Sequence, residues 1–319
     1  MARSSSDEAD DDPPTAASRR WRLYDLPYLL LVLPPLFWSG NIVLGRAVHE
    51  AVPPVALAFC RWFGAFLIVL PFAWSALLRD RFVLARHWRM LLLLSFLGIA
   101  FFNSASYFAL RYTTAINGLL LQSAVPVLIL ALSFLLFREA VTVRQALGVA
   151  VSLGGAVVVI TRGDLALLAT LALNLGDVVM FVAVCCYAAY SALLRLRPPV
   201  HPLSFLAATF GLGAAMLVPF LLVERLAGWT MTLNATTLLA VGYVAVFPSL
   251  LAYFCFNRGV ELVGANRAGV FIHLMPLFGT IMAVLFLGEA FRPPHAAGIA
   301  LILGGIVLAA RGRRRQRHG

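Results

Sequence analysis

Long apolar stretches alternate with short polar connectors along nearly the whole chain. A helix needs about 20 apolar residues to cross the hydrocarbon core of a bilayer, so the pattern predicts an all-α polytopic membrane protein with ten transmembrane helices. The predicted spans are 28–48, 54–78, 89–110, 115–137, 143–160, 174–194, 202–223, 236–257, 267–287 and 295–311.

The composition favours lipid as the solvent of this chain. Hydrophobic residues make up 61% of its 319 residues and charged residues only 12%, whereas soluble domains carry about 25% charged residues. Water could not solvate so much apolar surface. Residues 1–25 lack the basic start and apolar core of a secretory signal, and they are predicted to form a disordered cytoplasmic tail.

The placement of charge predicts the orientation. The net charge is +11, and all the Lys+Arg positions are arginines. With a cytoplasmic N-terminus, eighteen of the arginines from Arg19 onward fall in inner connectors and termini and five in outer connectors, as the positive-inside rule requires. The basic excess is therefore assigned to an anionic membrane surface and not to nucleic acid. Residues 311–319 are predicted to be a basic cytoplasmic tail, so both termini are placed in the cytoplasm.

The two halves of the chain repeat each other. Segments 126–155 and 276–305 match at a shift of 150 residues, with a proline, a glutamate and a Leu-Gly-Gly triplet in equivalent places. Each half holds five spans, so the second half enters the membrane from the opposite side, which is an inverted-topology repeat typical of secondary transporters. The predicted repeats are 26–161 and 162–310. Upstream matches are Tyr107 with Tyr253 at a shift of 146, and Trp38 with Tyr187 at a shift of 149.

The matched glutamates, Glu139 and Glu289, lie in the connectors that lead into spans five and ten. The inverted repeat puts them on opposite membrane faces, so they do not form a catalytic pair. We expect each carboxylate to meet the positive end of the following helix. In that position they would hold spans five and ten against spans four and nine.

Several motifs resemble the EamA-type family of the drug/metabolite transporter superfamily. They are FWSGNIVLGRA at 37–47, the arginine of AFCRWFGAF at 58–66, ALRYTTAINGLLLQSAVP at 109–126, and the two phrases around Glu139 and Glu289. The resemblance covers about Leu26 to Arg311, and the chain looks most similar to bacterial exporters of amino acids, including aromatic ones. This resemblance implies a location in a bacterial inner membrane. It implies ten helices and a central cavity lined mainly by spans one, three, four, six, eight and nine. Spans five and ten are then packed to the side.

Neutral polar and aromatic side chains at membrane depth form the predicted substrate-binding site. Polar groups there are costly and so are functional candidates, and residues three or four apart share a helix face. Candidates occur in both halves, which favours one midplane cavity over separate interhelical bonds or interfacial aromatics. They are Trp38, Asn41, Asn103, Tyr107, Gln122, Tyr187, Tyr190, Tyr253, Asn257 and His273.

Three ionisable residues have competing interpretations. Arg61 is the one arginine well within a predicted span, and three roles compete for it. It binds a substrate carboxylate, it pairs with backbone carbonyls at a broken helix, or its side chain snorkels outward. A structural role is favoured over substrate binding. His273 shuttles protons or, as favoured here, stays neutral and hydrogen-bonds a neighbouring helix. Asp177 is expected to be a carboxylate at a helix N-terminus.

No enzyme is predicted, because HExxH, P-loop and GxSxG motifs are absent from the sequence. The four cysteines lie in apolar segments without metal-ligand spacing, so no cofactor or metal is expected. A membrane-embedded lipid enzyme would need a reactive cluster near one interface, and the sequence shows none.

The sequence therefore predicts a secondary transporter that exports small neutral or zwitterionic metabolites by alternating access, with amino acids as the first candidates and prolines in the spans as hinges. A phosphorylated substrate would require more cationic groups at depth. A multidrug or other metabolite exporter and a channel are the alternatives. The expected partners are a small-molecule substrate and the lipid bilayer, and the oligomeric state stays open.

Overall fold

The computed structural model describes residues 23–164, 166–169, 174–287 and 290–310. These ranges contain helices and no β-strand, and nine of the helices are long and apolar enough to cross a membrane. The predicted all-α polytopic fold is confirmed. Of the predicted tail 1–25, the last three residues form the 3-10 helix Leu23–Asp25, so disorder is wrong for them. The rest of that tail, the predicted tail 311–319 and Glu289 lie outside the described residues.

Ten helical spans follow the predicted order. Six are single helices, in chain order spans 1, 2, 5, 6, 7 and 10: Pro27–Ala47, Pro54–Arg86, Val143–Ile160, Leu175–Leu193, Pro202–Leu226 and Pro293–Ala310. Span 3 is Trp88–Ser95, the π-helical piece Phe96–Phe101, and Phe102–Tyr112. Span 4 is Ala115–Gln122 and Val125–Phe137. Span 8 is Ala235–Ala245, the π-helical piece Val246–Leu251, and Ala252–Val263.

Span 9 is the predicted span that falls outside the count of nine. It consists of Ala265–Gly269, the 3-10 helix Val270–His273, and Leu274–Leu287. Span 2 runs further than predicted and ends at Arg86, because its last turns carry arginines that remain helical while they are exposed.

Helix packing follows a pseudo-two-fold relation between the halves. Span 5 packs against span 10 and span 2 against span 7, while spans 3 and 4 pack on span 6, and spans 8 and 9 on span 1. Exchanging the two halves therefore maps these contacts onto one another. Spans 2 and 7 align at a shift of 148, through Pro54 with Pro202 and Pro71 with Pro219, which makes Thr209 the counterpart of Arg61.

The π-helical pieces correct the predicted register of spans 3 and 8. Phe96–Phe101 and Val246–Leu251 are 150 residues apart, the same shift that relates the segments downstream. The predicted shift of 146 for Tyr107 is therefore wrong, because it followed side-chain identity and not backbone geometry. Tyr107 is equivalent to Asn257, and Asn103 is equivalent to Tyr253.

Glycines allow spans 5 and 10 to approach closely. A Cβ atom added to Gly148 would lie 2.6 Å from the Gly305 carbonyl oxygen, and one added to Gly155 would lie 2.6 Å from the Gly298 carbonyl oxygen. Small residues at such crossings let two backbones touch in a membrane. Spans 5 and 10 thus form a tight pair to the side of the other spans.

The two faces of the bundle are defined by contacts between connectors. On one face, the backbone N–H of His201 donates to Asp80 at 2.8 Å and Arg258 pairs with Asp25 at 3.0 Å. On the other, the N–H of Thr232 donates to the carbonyl of Ala51 at 3.1 Å. The first face, which also holds Glu139 and the connector 194–201, is called the arginine-rich face below.

Acidic side chains cap spans 2 and 7 reciprocally. Glu224, in the last turn of span 7, accepts from the backbone N–H groups of Val55 at 3.0 Å and Ala56 at 2.8 Å. Asp80, near the end of span 2, accepts from His201 at the start of span 7. A carboxylate at a helix N-terminus satisfies free N–H groups and the helix dipole. Matched acids on opposite faces thus exist, at positions other than the predicted ones.

The expected position of Glu139 at a helix N-terminus is wrong. The following helix is capped by Thr142 and Gln145, which form a capping box, because a Thr and a Gln three residues apart suit that geometry best. Glu139 instead lies 3.6 Å from Arg195, and both side chains are substantially exposed.

Alanine substitution of two adjacent glycines tests the span 5–span 10 contact. Gly155→Ala is expected to lower stability by about 1–3 kcal/mol, because its Cβ meets backbone atoms that cannot move aside. Gly154→Ala is the matched control: no atom lies within 4 Å of its added Cβ, and the effect should stay within about 0.5 kcal/mol. Melting temperatures of the purified proteins in one detergent measure both. Equal melting temperatures for the two variants would contradict the close approach.

The same substitution at two glutamates tests the corrected assignment of the acidic caps. Glu224→Gln is expected to destabilise by about 1–2 kcal/mol, since the buried carboxylate accepts two backbone hydrogen bonds. Glu139→Gln should change stability by less than about 0.5 kcal/mol, because exposed ion pairs contribute little. Thermal unfolding of both variants shows which glutamate caps a helix. A larger loss of stability for Glu139→Gln would support the expectation that Glu139 is the capping residue.

Candidate functional site

A small cavity lies at the centre of the bundle, between spans 1, 2, 3, 4, 6 and 9. Its volume is about 30 Å³, which holds a water molecule or two. The cavity is therefore closed around a volume smaller than a metabolite. Its lining residues are Trp38, Asn41, Ile42, Arg61, Phe102, Asn103, Ser106, Tyr107, Leu110, Gln122, Val125, Tyr187, Ile272 and Met275.

Six of the ten predicted site residues line this cavity: Trp38, Asn41, Asn103, Tyr107, Gln122 and Tyr187. The other four, Tyr190, Tyr253, Asn257 and His273, lie outside the lining and are buried. Span 8, which the resemblance implied as a wall, contributes no side chain to the described lining, whereas span 2 contributes Arg61. Ser106 was missed, although its position three residues after Asn103 places it on the same helix face.

Two tyrosine–asparagine hydrogen bonds occupy equivalent positions in the halves. The Tyr107 hydroxyl donates to Asn41 Oδ1 at 2.7 Å, which links span 3 to span 1. The Tyr190 hydroxyl donates to Asn257 Oδ1 at 2.9 Å, which links span 6 to span 8. Asn41 is equivalent to Tyr190, and Tyr107 is equivalent to Asn257. The two halves therefore share the hydrogen bond, although tyrosine and asparagine are interchanged at its two ends.

Aromatic rings fill the space between the cavity and the second of these bonds. The ring centroid of Tyr187 lies 5.7 Å from that of Tyr190 and 5.6 Å from that of Trp38, and Tyr190 lies 5.9 Å from Tyr253. Such aromatic pairs contribute about 0.5–1.5 kcal/mol each beyond their buried area. The cluster makes one wall of the cavity apolar, and Trp38 and Tyr187 are its members that reach the cavity.

Each π-helical piece presents a backbone carbonyl to side chains from elsewhere. The Gly98 carbonyl accepts from Asn103 Nδ2 at 3.3 Å and from the Tyr253 hydroxyl. The Pro248 carbonyl accepts from Trp38 Nε1 at 3.0 Å and Arg61 Nη2 at 2.9 Å. A π-helical step disturbs the regular hydrogen-bond ladder, and in lipid the freed carbonyls must be satisfied by the protein. The steps thereby create two equivalent polar points beside the cavity.

Arg61 is held inside the bundle by neutral groups. It is 1% exposed, so the snorkelling interpretation is wrong. Besides Pro248, its guanidinium donates to Ser249 Oγ, to Asn41 Oδ1 at 3.3 Å and to the Tyr107 hydroxyl at 3.0 Å. The bond to Pro248 matches the interpretation of carbonyl pairing at a broken helix, and the same side chain also lines the cavity.

His273 lies away from the cavity and links three spans to one another. Its Nε2 lies 2.8 Å from the Ser123 carbonyl on span 4, and its Nδ1 lies 2.6 Å from Ser152 Oγ on span 5. A carbonyl only accepts, so Nε2 carries a hydrogen. With its side chain fully buried, the arrangement fits the favoured interhelical hydrogen-bonding role.

Asp177 takes the helix N-terminal position expected of it and adds a link between spans. It forms a capping box with Asn174 at the start of span 6. Its Oδ1 also accepts from Thr113 Oγ1 at 2.5 Å and from Asn117 Nδ2 at 3.1 Å. The carboxylate therefore fastens span 6 to the connector between spans 3 and 4.

A second cavity of about 620 Å³, called the vestibule below, opens on the arginine-rich face. It extends inward to Asn257, the acceptor in the bond from Tyr190. That bond and the aromatic cluster therefore stand between the vestibule and the central cavity. The vestibule is lined by Ser133, Glu139, Ala192, Leu194, Arg195, Arg197, Pro198, Pro199, Asn257, Val260, Glu261, Gly264 and Ala265.

The Tyr107–Asn41 bond is tested with two tyrosines on the same helix. Tyr107→Phe removes a buried donor and leaves Asn41 and Arg61 with fewer partners, so stability should fall by about 1 kcal/mol. Tyr112→Phe is the control, since Tyr112 is 51% exposed. This variant should have the same melting temperature as the unchanged protein. A Tyr107→Phe protein that melts no lower than the Tyr112→Phe protein would argue against this bond.

Comparison with known proteins identifies the family. The sequence profile of the EamA-like transporter family matches residues 25–161 and again residues 174–311. An uncharacterized transporter of Archaeoglobus fulgidus is 30% identical over 290 residues, covering 89% of this chain and 94% of its own. The uncharacterized transporter YyaM of Bacillus subtilis is 27% identical over 220 residues, 69% of this chain and 72% of its own. A crystal structure with 21% identity shares the fold at a TM-score of 0.73, over 89% of this chain and 97% of that one. The chain belongs to the EamA-like transporter family and is a multi-pass membrane transporter.

Proposed function

We propose that this transporter exports small neutral or zwitterionic metabolites from the cytoplasm, with amino acids, aromatic ones included, as first candidates. The observation that carries the proposal is the chemistry of the central cavity. Its described lining consists of aromatic, aliphatic and neutral polar side chains, with Arg61 as the charged member. Sites for small organic solutes are typically apolar with a few polar groups that fix orientation.

The same lining argues against two other substrate classes. A phosphorylated metabolite would favour several cationic groups, and Arg61 is the one cation in the described lining. A cationic drug would favour a buried carboxylate, and the described wall of the cavity contains none. Amino acids fit because their apolar side chains can face the aromatic wall while their polar ends meet Asn41 and Tyr107.

Alternating access is supported by the two-fold arrangement of the bonds around the cavity. The vestibule reaches the Tyr190–Asn257 bond from the arginine-rich face. The Tyr107–Asn41 bond occupies the equivalent place in the other half. Opening one bond at a time would expose the cavity to one face at a time. The excess of arginines on the vestibule face supports assigning that face to the cytoplasm under the positive-inside rule.

Tight coupling to protons is not part of the proposal. The described cavity wall contains no carboxylate, and His273 is engaged on both ring nitrogens away from the cavity. We therefore propose facilitated diffusion or a weakly coupled antiport.

A flux screen in liposomes tests the proposed function. The purified protein is reconstituted and loaded in turn with amino acids, nucleosides and cationic drugs. Efflux of an amino acid, with counterflow that a channel would not show, is expected. Movement of a cationic drug without movement of any amino acid would defeat the assignment.

An imposed proton gradient tests the uncoupled mechanism. Amino-acid flux should be about the same with and without the gradient, and His273→Ala should retain that insensitivity even if stability falls, because two interhelical bonds are lost. Flux that requires the gradient and vanishes in a folded His273→Ala protein would show proton coupling.

A further inference from the structure

Arg61 carries a buried charge that no acidic side chain among the described residues neutralises. All four of its hydrogen bonds go to neutral acceptors, namely Ser249, Asn41, Tyr107 and the Pro248 carbonyl. In the part of the chain that the structure describes, its guanidinium takes part in no ion pair. A buried charge without a counter-charge is costly. A structural role alone therefore does not explain why this arginine is buried.

The protein treats other arginines differently. Arg258 pairs with Asp25 and Glu261, each at 3.0 Å, and Arg197 pairs with Glu261 at 2.8 Å. These side chains lie on the arginine-rich face, closer to water, yet they have acidic partners. Acids are therefore available in this fold where a structural arginine has to be neutralised.

The fold does not require a charge at the position of Arg61. Its counterpart in the other half is Thr209, whose hydroxyl bonds the Phe205 carbonyl of its own helix at 2.8 Å. Spans 2 and 7 pack against each other, so the same helix–helix contact is built with a cation in one half and a neutral residue in the other. The charge therefore serves a purpose that the helical framework alone does not explain.

Unused hydrogen-bonding groups share the cavity with Arg61. A guanidinium has five N–H donors, so its four hydrogen bonds leave one N–H of Nη2 without an acceptor among the described residues. Ser106 Oγ and the Tyr187 hydroxyl are buried and find no hydrogen-bond partner in the described part of the chain. These residues are 8% and 3% exposed, and both line the cavity. Three available donors at one cavity suit a ligand rich in acceptor oxygens.

We propose that Arg61 binds a carboxylate of the transported solute, with Ser106 and Tyr187 donating hydrogen bonds to the same ligand. The inference rests on the proposed function, since it takes the central cavity as the transport site. It makes a carboxylate the recognised group, which selects the zwitterions of the proposed substrate class and adds monoanionic carboxylates to it. The ligand takes the free N–H of Nη2 and displaces Asn41 from Nη1, the longest of the four bonds at 3.3 Å. Planar bidentate pairing of this kind is the geometry for which arginine is suited.

Matched ligand sets test the inference on the unchanged protein. Each set keeps one side chain, benzyl or isobutyl, and varies the polar end: the amino acid, its amide, its decarboxylated amine, and its des-amino carboxylic acid. Binding is read from ligand-dependent shifts in melting temperature in lipid nanodiscs. The amino acid and the des-amino acid should bind at least about tenfold more tightly than the amide and the amine, as loss of a charge-assisted hydrogen bond predicts.

Substitutions locate the preference at Arg61. Arg61→Gln should abolish the tenfold difference between acid and amide, and Arg61→Lys should retain part of it. Arg89→Gln is the control, because it removes one exposed arginine far from the cavity lining, and it should behave as the unchanged protein.

The outcomes separate the inference from the proposed function. Equal binding of acid and amide, or no shift with any carboxylate, overturns the inference, and so does an Arg61→Gln protein that folds and keeps the preference. If Arg61→Gln does not fold, the ligand sets on the unchanged protein decide. Tight binding of des-amino acids, with no amino-acid flux in liposomes, would uphold Arg61 as a carboxylate site and defeat amino-acid export.

Discussion

Polar groups withdrawn from water must find partners within the protein, and this constraint organises the centre of the bundle. The π-helical steps in spans 3 and 8 free the Gly98 and Pro248 carbonyls, and donors from other spans satisfy them. Arg61 connects one of these carbonyls to the Tyr107–Asn41 bond. Hydrogen bonds that lipid cannot replace thus fix the relative positions of the helices around the cavity. Apolar side-chain contacts hold the rest of the bundle together.

The fold was largely readable from the sequence because lipid imposes simple rules. Span lengths, connectors and the 150-residue repeat followed from apolar runs and repeated Pro, Glu and Gly positions. The register of span 8 relative to span 3 could not be predicted, because a π-helical step has no characteristic residue pattern. The alignment therefore matched tyrosine with tyrosine and gave the wrong shift. The acidic caps were expected in principle, but Asp80 and Glu224 fill that role instead of Glu139, since partner geometry decides which acid reaches a helix end.

The candidate site was readable in part. Helical spacing brought together Trp38, Asn41 and Tyr107, which share the cavity. It could not separate Tyr187, which reaches the cavity, from Tyr190, which lies three residues further on and bonds Asn257 instead. Sequence also allowed Arg61 to extend toward water, whereas the structure turns it inward onto Pro248 and Ser249. Rotamer direction and the position of broken helices decide such cases, and neither is encoded in residue spacing.

The glycine contact between spans 5 and 10 bears on the resting preference of the carrier. Exchanging the halves turns the Gly148–Gly305 contact into Gly298–Gly155, so the interface maps onto itself. In a carrier whose two end states differ by such an exchange, this interface adds the same free energy to both. The contact therefore favours neither state. The equilibrium between the empty states must then be set by residues that differ between the halves, and Arg61, whose counterpart is the neutral Thr209, is a charged difference beside the cavity.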